Sequence, residues 1–275
     1  MDSDNLVGFI GVGKIGRPMV ERLAGQEWPV LAYARRSEVR QELQLNGIRS
    51  TNSITQLAES CDRIIVCLYD DTQLSELTLG DSGLVESVKP GTVVASHTTG
   101  SPATLGRIAA AASARDVFVV EAPFSGSADV VRGGELTVFL SGDASAIERI
   151  EQPLRSYCRH VIKAGEPGAA LKVKLVNNAL FAAHSQLATD AVRISDELGI
   201  ERSVLFEALA VSSGGSTAMK YLSETRGVDD FVAQIGSYLR KDLAICESLA
   251  RELSVELGAI GSTSHGGPLS LRPEL

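Results

Sequence analysis

Three polar residues, Lys174, Asn177 and Asn178, interrupt a mostly apolar stretch that opens at Glu166-Pro-Gly168 and runs on through Leu180. Residues three and four apart on a helix share a face, so the lysine can point the same way as both asparagines. Lysine is one of the side chains that exchange protons with reacting groups, so the trio could do acid–base chemistry. The same pattern also suits a solvated face, or a buried polar pair that fixes packing. A second group lies upstream, where Ser125-Gly126-Ser127 follows the apolar run Val117-Phe-Val-Val-Glu121. Two hydroxyls and a glycine-freed backbone make a concavity of N–H groups that suits an anion such as a carboxylate, or a plain small-residue turn.

The third group is Gly11-Val12-Gly13-Lys14-Ile15-Gly16, set between the apolar run Leu6–Ile10 and a helical pattern of Met19, Val20, Leu23 and Ala24 closed by Gly25. GxGxxG between a strand and a helix is a dinucleotide-binding pattern: one glycine turns the chain, one admits the pyrophosphate, one lets helix and strand pack. The helix N-terminus adds N–H donors and partial positive charge for the phosphates. Outside that context the glycines would mark only a tight turn. The next strand, Val30–Tyr33, leads into Ala34-Arg35-Arg36, with no acid between Trp28 and Ser37. An acid here would take the ribose hydroxyls of NAD, whereas guanidinium forks suit a 2′-phosphate. The pattern predicts NADP rather than NAD, with Arg35 the principal contact and Arg36 beside it, unless both are solvated loop residues.

These groups need a scaffold, and the hydrophobic pattern supplies one. Short apolar runs at 6–10, 30–33, 63–68, 92–95, 117–121, 135–141 and 160–163 alternate with helical segments, which predicts a Rossmann-type doubly wound sheet, mostly parallel at its start. Ser53 stands where a helix cap is expected, and Asp70 with Asp71 reads as a helix-capping turn. Leu68 closes the third long run and Tyr69 follows its carboxyl end, where ligands of open parallel sheets lie, which makes both candidates for cofactor contact. After residue 165 the pattern becomes all helix: 169–198, then near 201–211, 216–224 and 229–256. The expected organisation is an α/β domain over 1–165 and an all-α C-terminal domain over 166–275, joined by a long interdomain helix. That helix is apolar on more than one face and must be buried, which calls for a second subunit. Gly258–Pro268 reads as a loop.

Composition narrows the function. A net charge of -8 leaves no basic stripe for nucleic acid. No run of residues reaches the length of a membrane span, and the acidic Met1–Asp4 does not resemble a signal peptide. The expected setting is soluble and cytoplasmic. The cysteines at 61, 67, 158 and 246 lack metal-ligand spacing. His160, His184 and His265 are not spaced as ligands either, so no metal is expected, and His97 reads as structural.

Taken together, the motifs resemble those of the β-hydroxyacid dehydrogenases, the group of 3-hydroxyisobutyrate, tartronate semialdehyde, glyoxylate/succinic semialdehyde and, more distantly, 6-phosphogluconate enzymes. Gly11–Met19 is similar to their cofactor motif. Glu121–Ser127 with Gly134-Glu-Leu-Thr137 resembles Asp-Ala-Pro-Val-Ser-Gly-Gly with Gly-Thr-Leu-Thr. Gly168–Asn178 resembles GxGxxxKxxNN, and Lys241-Asp242-Leu243 a late Lys-Asp-Leu. The resemblance implies an NADP-dependent oxidoreductase that interconverts a small β-hydroxy acid and its semialdehyde or keto form. It further implies that Lys174 is the general acid/base, that Ser125 and Gly126 hold the substrate carboxylate with Ser127 and Asn177 nearby, and that Asn178 orients substrate or lysine. Thr99 and Lys241 would line the nicotinamide end. Lys172 and Lys174 point about 200° apart on a helix, and only Lys174 has both asparagines on its face. In a closed site beside a cationic nicotinamide its pKa is expected to fall toward the working pH.

Several positions depart from the family pattern: Glu121 for Asp, Ser127 for Gly, Ala170 for Gly, Val131 for Ala and Tyr69 for Pro. They bear on pocket shape, hence on substrate. The expected loop at 258–268 also implies that a terminal helix of the family is missing. Two other functions remain open. An imine reductase of the same architecture is disfavoured by Lys174, which such enzymes usually lack. A non-catalytic NADP-binding interaction protein has only the short tail in its favour.

Overall fold

The computed structural model describes residues 5–81 and 83–271, so the expectation for Met1–Asp4 lies outside the described residues. The chain divides into two compact units between Lys174 and Leu175, and each has its own core. In the first, strands and helices alternate: β1 (Val7–Ile10), α1 (Gly16–Gly25), β2 (Val30–Tyr33), α2 (Ser37–Leu45), β3 (Arg49–Thr51), α3 (Ile54–Ser60), β4 (Arg63–Val66), α4 (Asp71–Leu79), α5 (Leu84–Ser87), β5 (Val93–Ser96) and α6 (Pro102–Ser113). Then come β6 (Phe118–Glu121), β7 (Phe124–Ser125), α7 (Ala128–Arg132), β8 (Leu136–Ser141), α8 (Ala144–Leu154) and β9 (Cys158–Gly165). The strand order is β3-β2-β1-β4-β5-β6-β8-β7, with β9 on β8. Pairing is parallel from β3 to β6, antiparallel where β8 meets β6 and β7, and parallel again between β8 and β9.

Alternation of side chains along each strand builds two cores, one on each face. Val7, Phe9, Ile65, Val93 and Ala95 point to the face covered by α1 and α8. Ile10, Ile64, Val66 and Val94 point to the other, covered by α3, α5 and α6, where Leu171 also packs. Ser53 and Asp70 cap α3 and α4 as expected, each accepting from a backbone N–H three residues on. The short elements β3, β7, α5 and α7 were not legible in the hydrophobic pattern.

The long helix α9 (Ala169–Glu197) crosses the division. Beyond it lie α10 (Arg202–Val211), α11 (Thr217–Ser223), α12 (Val228–Glu252) and α13 (Gly258–Gly266). Leu175, Ala179, Ala182 and Val192 of α9 pack with Met219, Leu222, Phe231, Leu239 and Leu243. One expectation fails here: Gly258–Pro268 is not a loop, because α13 occupies most of it. Its glycines lower helix propensity, but tertiary contacts override that. Ser264 Oγ donates to Ala179 O (3.3 Å), and the buried Gln186 amide donates to Ser264 O and Leu269 O (2.8 Å each) while accepting from Leu269 N (2.8 Å). One side chain thus clamps the following segment, with Leu269 and Leu271, into the helical core.

Candidate active site

The strand order reverses between β1 and β4, and a crevice at the carboxyl ends of these strands is where open sheets bind ligands. Gly11 stands there with φ +104°, and a Cβ on it would lie 2.1 Å from Cys67 O, so glycine is required for β1 to turn beside β4. A Cβ on Gly16 would lie 2.0 Å from Gly11 O, which fixes the closeness of α1 to the turn. At Gly13 a Cβ would meet nothing within 4 Å, so that face of the turn is open to an incoming group. No side chain caps α1; Arg17 N donates to Gly13 O (3.0 Å) and Pro18 has no N–H, so the helix start offers a phosphate its first-residue N–H and the positive end of its dipole. A dinucleotide pyrophosphate therefore fits this turn. Val12 and Ile15 pack against the core and Lys14 is exposed, so the backbone, more than these side chains, forms the cradle.

Arg35 and Arg36 are exposed at the end of β2. Arg40 Nη1 donates to Ala34 O (2.9 Å) and Arg35 O (2.8 Å), bracing the turn that carries them. Glu38, in the first turn of α2 and bonded to Ser37 Oγ (3.0 Å), brings a negative charge to the same corner. Its own backbone N–H, and after it the Ser37 hydroxyl, hold its carboxyl below the usual range.

Leu68 is half-buried and Tyr69 exposed, on the loop after β4. That loop is laced to the one after β5: Leu68 N donates to Thr98 Oγ1 (3.3 Å), and Ser101 N to Asp71 Oδ2 (2.8 Å). Thr99 sits half-buried between these ties. In sequence Asp71 reads only as part of a capping turn, and nothing marks Thr98 as its counterpart tie, because each partner lies 30 residues away.

His97 supports the same ridge. Its Nδ1 faces Ala122 O and its Nε2 Tyr157 Oη (2.8 Å), all buried. A nitrogen opposite a carbonyl must donate, so Nε2 accepts from the tyrosine O–H. Burial pushes the imidazole down to about 4, so it stays neutral and structural. The unfolded chain then binds a proton near pH 6.5 that the folded one refuses until about pH 4. Stability present above pH 6.5 is lost as pH falls through that window, by about 3 kcal/mol. Urea unfolding at pH 7 and pH 4.5 should show a clearly smaller drop for His97→Gln than for wild type; equal drops would remove this assignment.

Beyond β6, Ser125 and Ser127 are half-buried. Gly126 has φ +140°, and a Cβ there would lie 2.8 Å from Leu136 and 2.9 Å from Val130, so only glycine lets the chain turn here. Ser127 Oγ accepts from Val130 N (3.4 Å) as the cap of α7, leaving its O–H proton as the group it can offer a ligand.

On α9, Lys174 is buried and Lys172 exposed. One turn on, in the second unit, Asn177 Nδ2 donates to Asn178 Oδ1 (3.0 Å), and Asn178 Nδ2 donates to Asp242, which also pairs with Lys241 Nζ at 2.7 Å. Asp242 was visible in sequence only as the middle of Lys241-Asp242-Leu243. In the structure it is the buried hub that orients Asn178. Among the described residues, no group of three or more His, Cys, Asp or Glu is placed to hold a metal. None of their helices is long and apolar enough to cross a membrane.

A Rossmann sheet with an open glycine turn is the frame of a dinucleotide-binding protein, and comparison with known proteins narrows the class. Residues 6–165 match the family described as the NAD binding domain of 6-phosphogluconate dehydrogenase, and residues 168–264 that described as NAD-binding of NADP-dependent 3-hydroxyisobutyrate dehydrogenase. An uncharacterized oxidoreductase of Mycobacterium tuberculosis is 31% identical over 262 residues, 91% of this chain and 88% of that protein. The mitochondrial 3-hydroxyisobutyrate dehydrogenase of Rattus norvegicus is 26% identical, covering 96% of this chain and 81% of that one. The crystal structure of 3-hydroxyisobutyrate dehydrogenase from Salmonella typhimurium shares the fold, with a TM-score of 0.82 at 23% identity over 95% of this chain and 92% of that one. The chain belongs to the β-hydroxyacid dehydrogenase family. It is an NAD(P)-dependent oxidoreductase of the 3-hydroxyisobutyrate dehydrogenase type.

Proposed function

We propose that the protein interconverts a small β-hydroxy acid and its semialdehyde or keto form with NADP, Lys174 exchanging the proton on the substrate oxygen. The observation that carries this reading is the contrast on α9, where Lys174 is only 9% exposed while Lys172, two residues earlier, is exposed. Keeping an ammonium out of water is costly, so the buried lysine is the one with a task. Ser125 and Gly126 take the substrate carboxylate, with the Ser127 O–H and Asn177 beside them. Asn178, held by Asp242, presents its remaining amide N–H to the substrate or to Lys174. The relatives named for 3-hydroxyisobutyrate support a small β-hydroxy acid.

Bound NADP supplies hydride exchange at the substrate carbon. Gly11, Val12, Gly13, Lys14, Ile15 and Gly16 hold its pyrophosphate, and Arg35 with Arg36 its 2′-phosphate. Leu68 and Tyr69 contact the cofactor, and Thr99 and Lys241 line its nicotinamide end. Residues 1–165 are assigned to the cofactor and 166–275 to substrate and assembly. A homodimer or tetramer is supported by exposed Val176, Leu180, Leu187 and Ile194, spaced by four and seven along one stripe of α9. Four free cysteines, with burial raising each thiol pKa, suit a reducing, cytoplasmic setting.

Turnover across a panel of hydroxy acids, semialdehydes and cyclic imines, with NADPH and NADH, tests the assignment. The expected result is NADPH-dependent reduction of a semialdehyde or keto acid, by a species of at least twice the chain mass in light scattering. Turnover of imines alone would overturn it.

A further inference from the structure

The helices α3, α4, α6 and α8 of the first unit are each capped by the residue just before them, Ser53, Asp70, Ser101 and Asp143. The start of α9 is held differently. Glu121, at the end of β6, and Ser141, at the end of β8, face each other across the antiparallel pair. Ser141 Oγ donates to Glu121 Oε2 (2.7 Å), which also accepts from Leu171 N (3.1 Å). Glu121 Oε1 accepts from Gly168 N, and Ser141 Oγ accepts from Ala170 N (3.1 Å). Three N–H groups that a helix start leaves unmet are thus satisfied from the sheet, 29 to 50 residues upstream. Glu121 is 6% exposed and Ser141 fully buried. Among the described residues no cation pairs with Glu121, so its charge is balanced by those N–H groups and the positive end of the helix.

The placement matters because of what lies on either side. Four residues after Glu121 comes Ser125 of the anion cradle, and three residues after Leu171 comes Lys174. We propose that Glu121, with Ser141, is a positioning pair for the reaction: it locks the root of the substrate loop to the first turn of α9 and so fixes where Lys174 meets the substrate oxygen. The inference rests on the roles given above to Lys174 and to Ser125–Gly126. A carboxylate is required rather than any polar group, because all three of its bonds come from donors. A glutamine would turn an NH₂ toward at least one of them.

A double-mutant cycle of Glu121→Gln with Lys174→Ala tests this, read as kcat, substrate KM, NADPH affinity by fluorescence titration, and melting temperature. Glu121→Gln alone is expected to lower kcat about 10-fold, roughly the loss of one charge-assisted hydrogen bond, with NADPH affinity within about twofold. In the Lys174→Ala background the same change should have no further effect on kcat, because residues acting through one another are non-additive. Wild-type kcat in Glu121→Gln, or kcat losses that multiply across the cycle, would overturn the positioning role. A Lys174→Ala enzyme that keeps wild-type kcat instead removes the lysine assignment, and the positioning role with it. Should Glu121→Gln melt below the assay temperature, Ser141→Ala takes its place, with a smaller loss and the same expected non-additivity.

Discussion

Lys174→Ala should lower kcat by about 10³-fold, within the range that a positioned general acid or base supplies, while NADPH binds within about twofold of wild-type affinity. Lys174 is buried on α9, and the glycine turn that cradles the cofactor is built from β1 and α1, with close approaches that involve Cys67 and Gly11 but not the lysine. Removing the ammonium therefore spares the cradle. Lys174→Arg separates two roles for the same charge. Guanidinium keeps the cation but cannot release a proton in the working range, so it should be nearly as slow as alanine if the lysine moves a proton. Recovery of kcat by arginine would make the residue an electrostatic clamp instead. Unchanged kcat in the alanine variant would remove it from the chemistry.

Arg35→Ala should cost about 10- to 100-fold in kcat/KM with NADPH, the scale of one or two charge-assisted bonds to a phosphate, and leave kcat/KM with NADH nearly unchanged. Arg35 and Arg36 are the exposed cations on the turn after β2, and Arg40 braces that turn through two carbonyls. Glu38 works against them, since a carboxylate in the first turn of α2 repels a 2′-phosphate. The contest is decided by measuring both cofactors on wild type and variant. A tenfold preference of the wild type for NADH would overturn the NADP assignment.

The local features of this chain were legible because their physics is local. The glycine turn, the caps Ser53 and Asp70, and the long helix, expected over 169–198 and found over Ala169–Glu197, are written in adjacent residues. What the sequence hid are contacts between distant residues. Ser101 N to Asp71, Leu171 N to Glu121, and Asn178 to Asp242 join positions 30, 50 and 64 apart, and no spacing rule connects them. Glu121 was visible only as a departure from an expected aspartate, and its role follows from the fold. The segment after Leu257 misled for the opposite reason. Its glycines state a true local preference for coil, and buried bonds from Gln186 and Ser264 outweigh it.

Gln186 has a consequence for how the helical unit moves. Its amide satisfies two carbonyls and one N–H of a segment 78 to 83 residues further along, and a Cβ at Gly267 would lie 2.4 Å from its oxygen. Freeing that segment exposes Leu269 and Leu271 and strands a buried amide in the middle of α9. Its opening is therefore a sub-global event shared with α9, rather than the near-zero-cost fraying usual for segments close to a chain end. The helix that carries Lys174 and the segment beyond α13 breathe together or not at all.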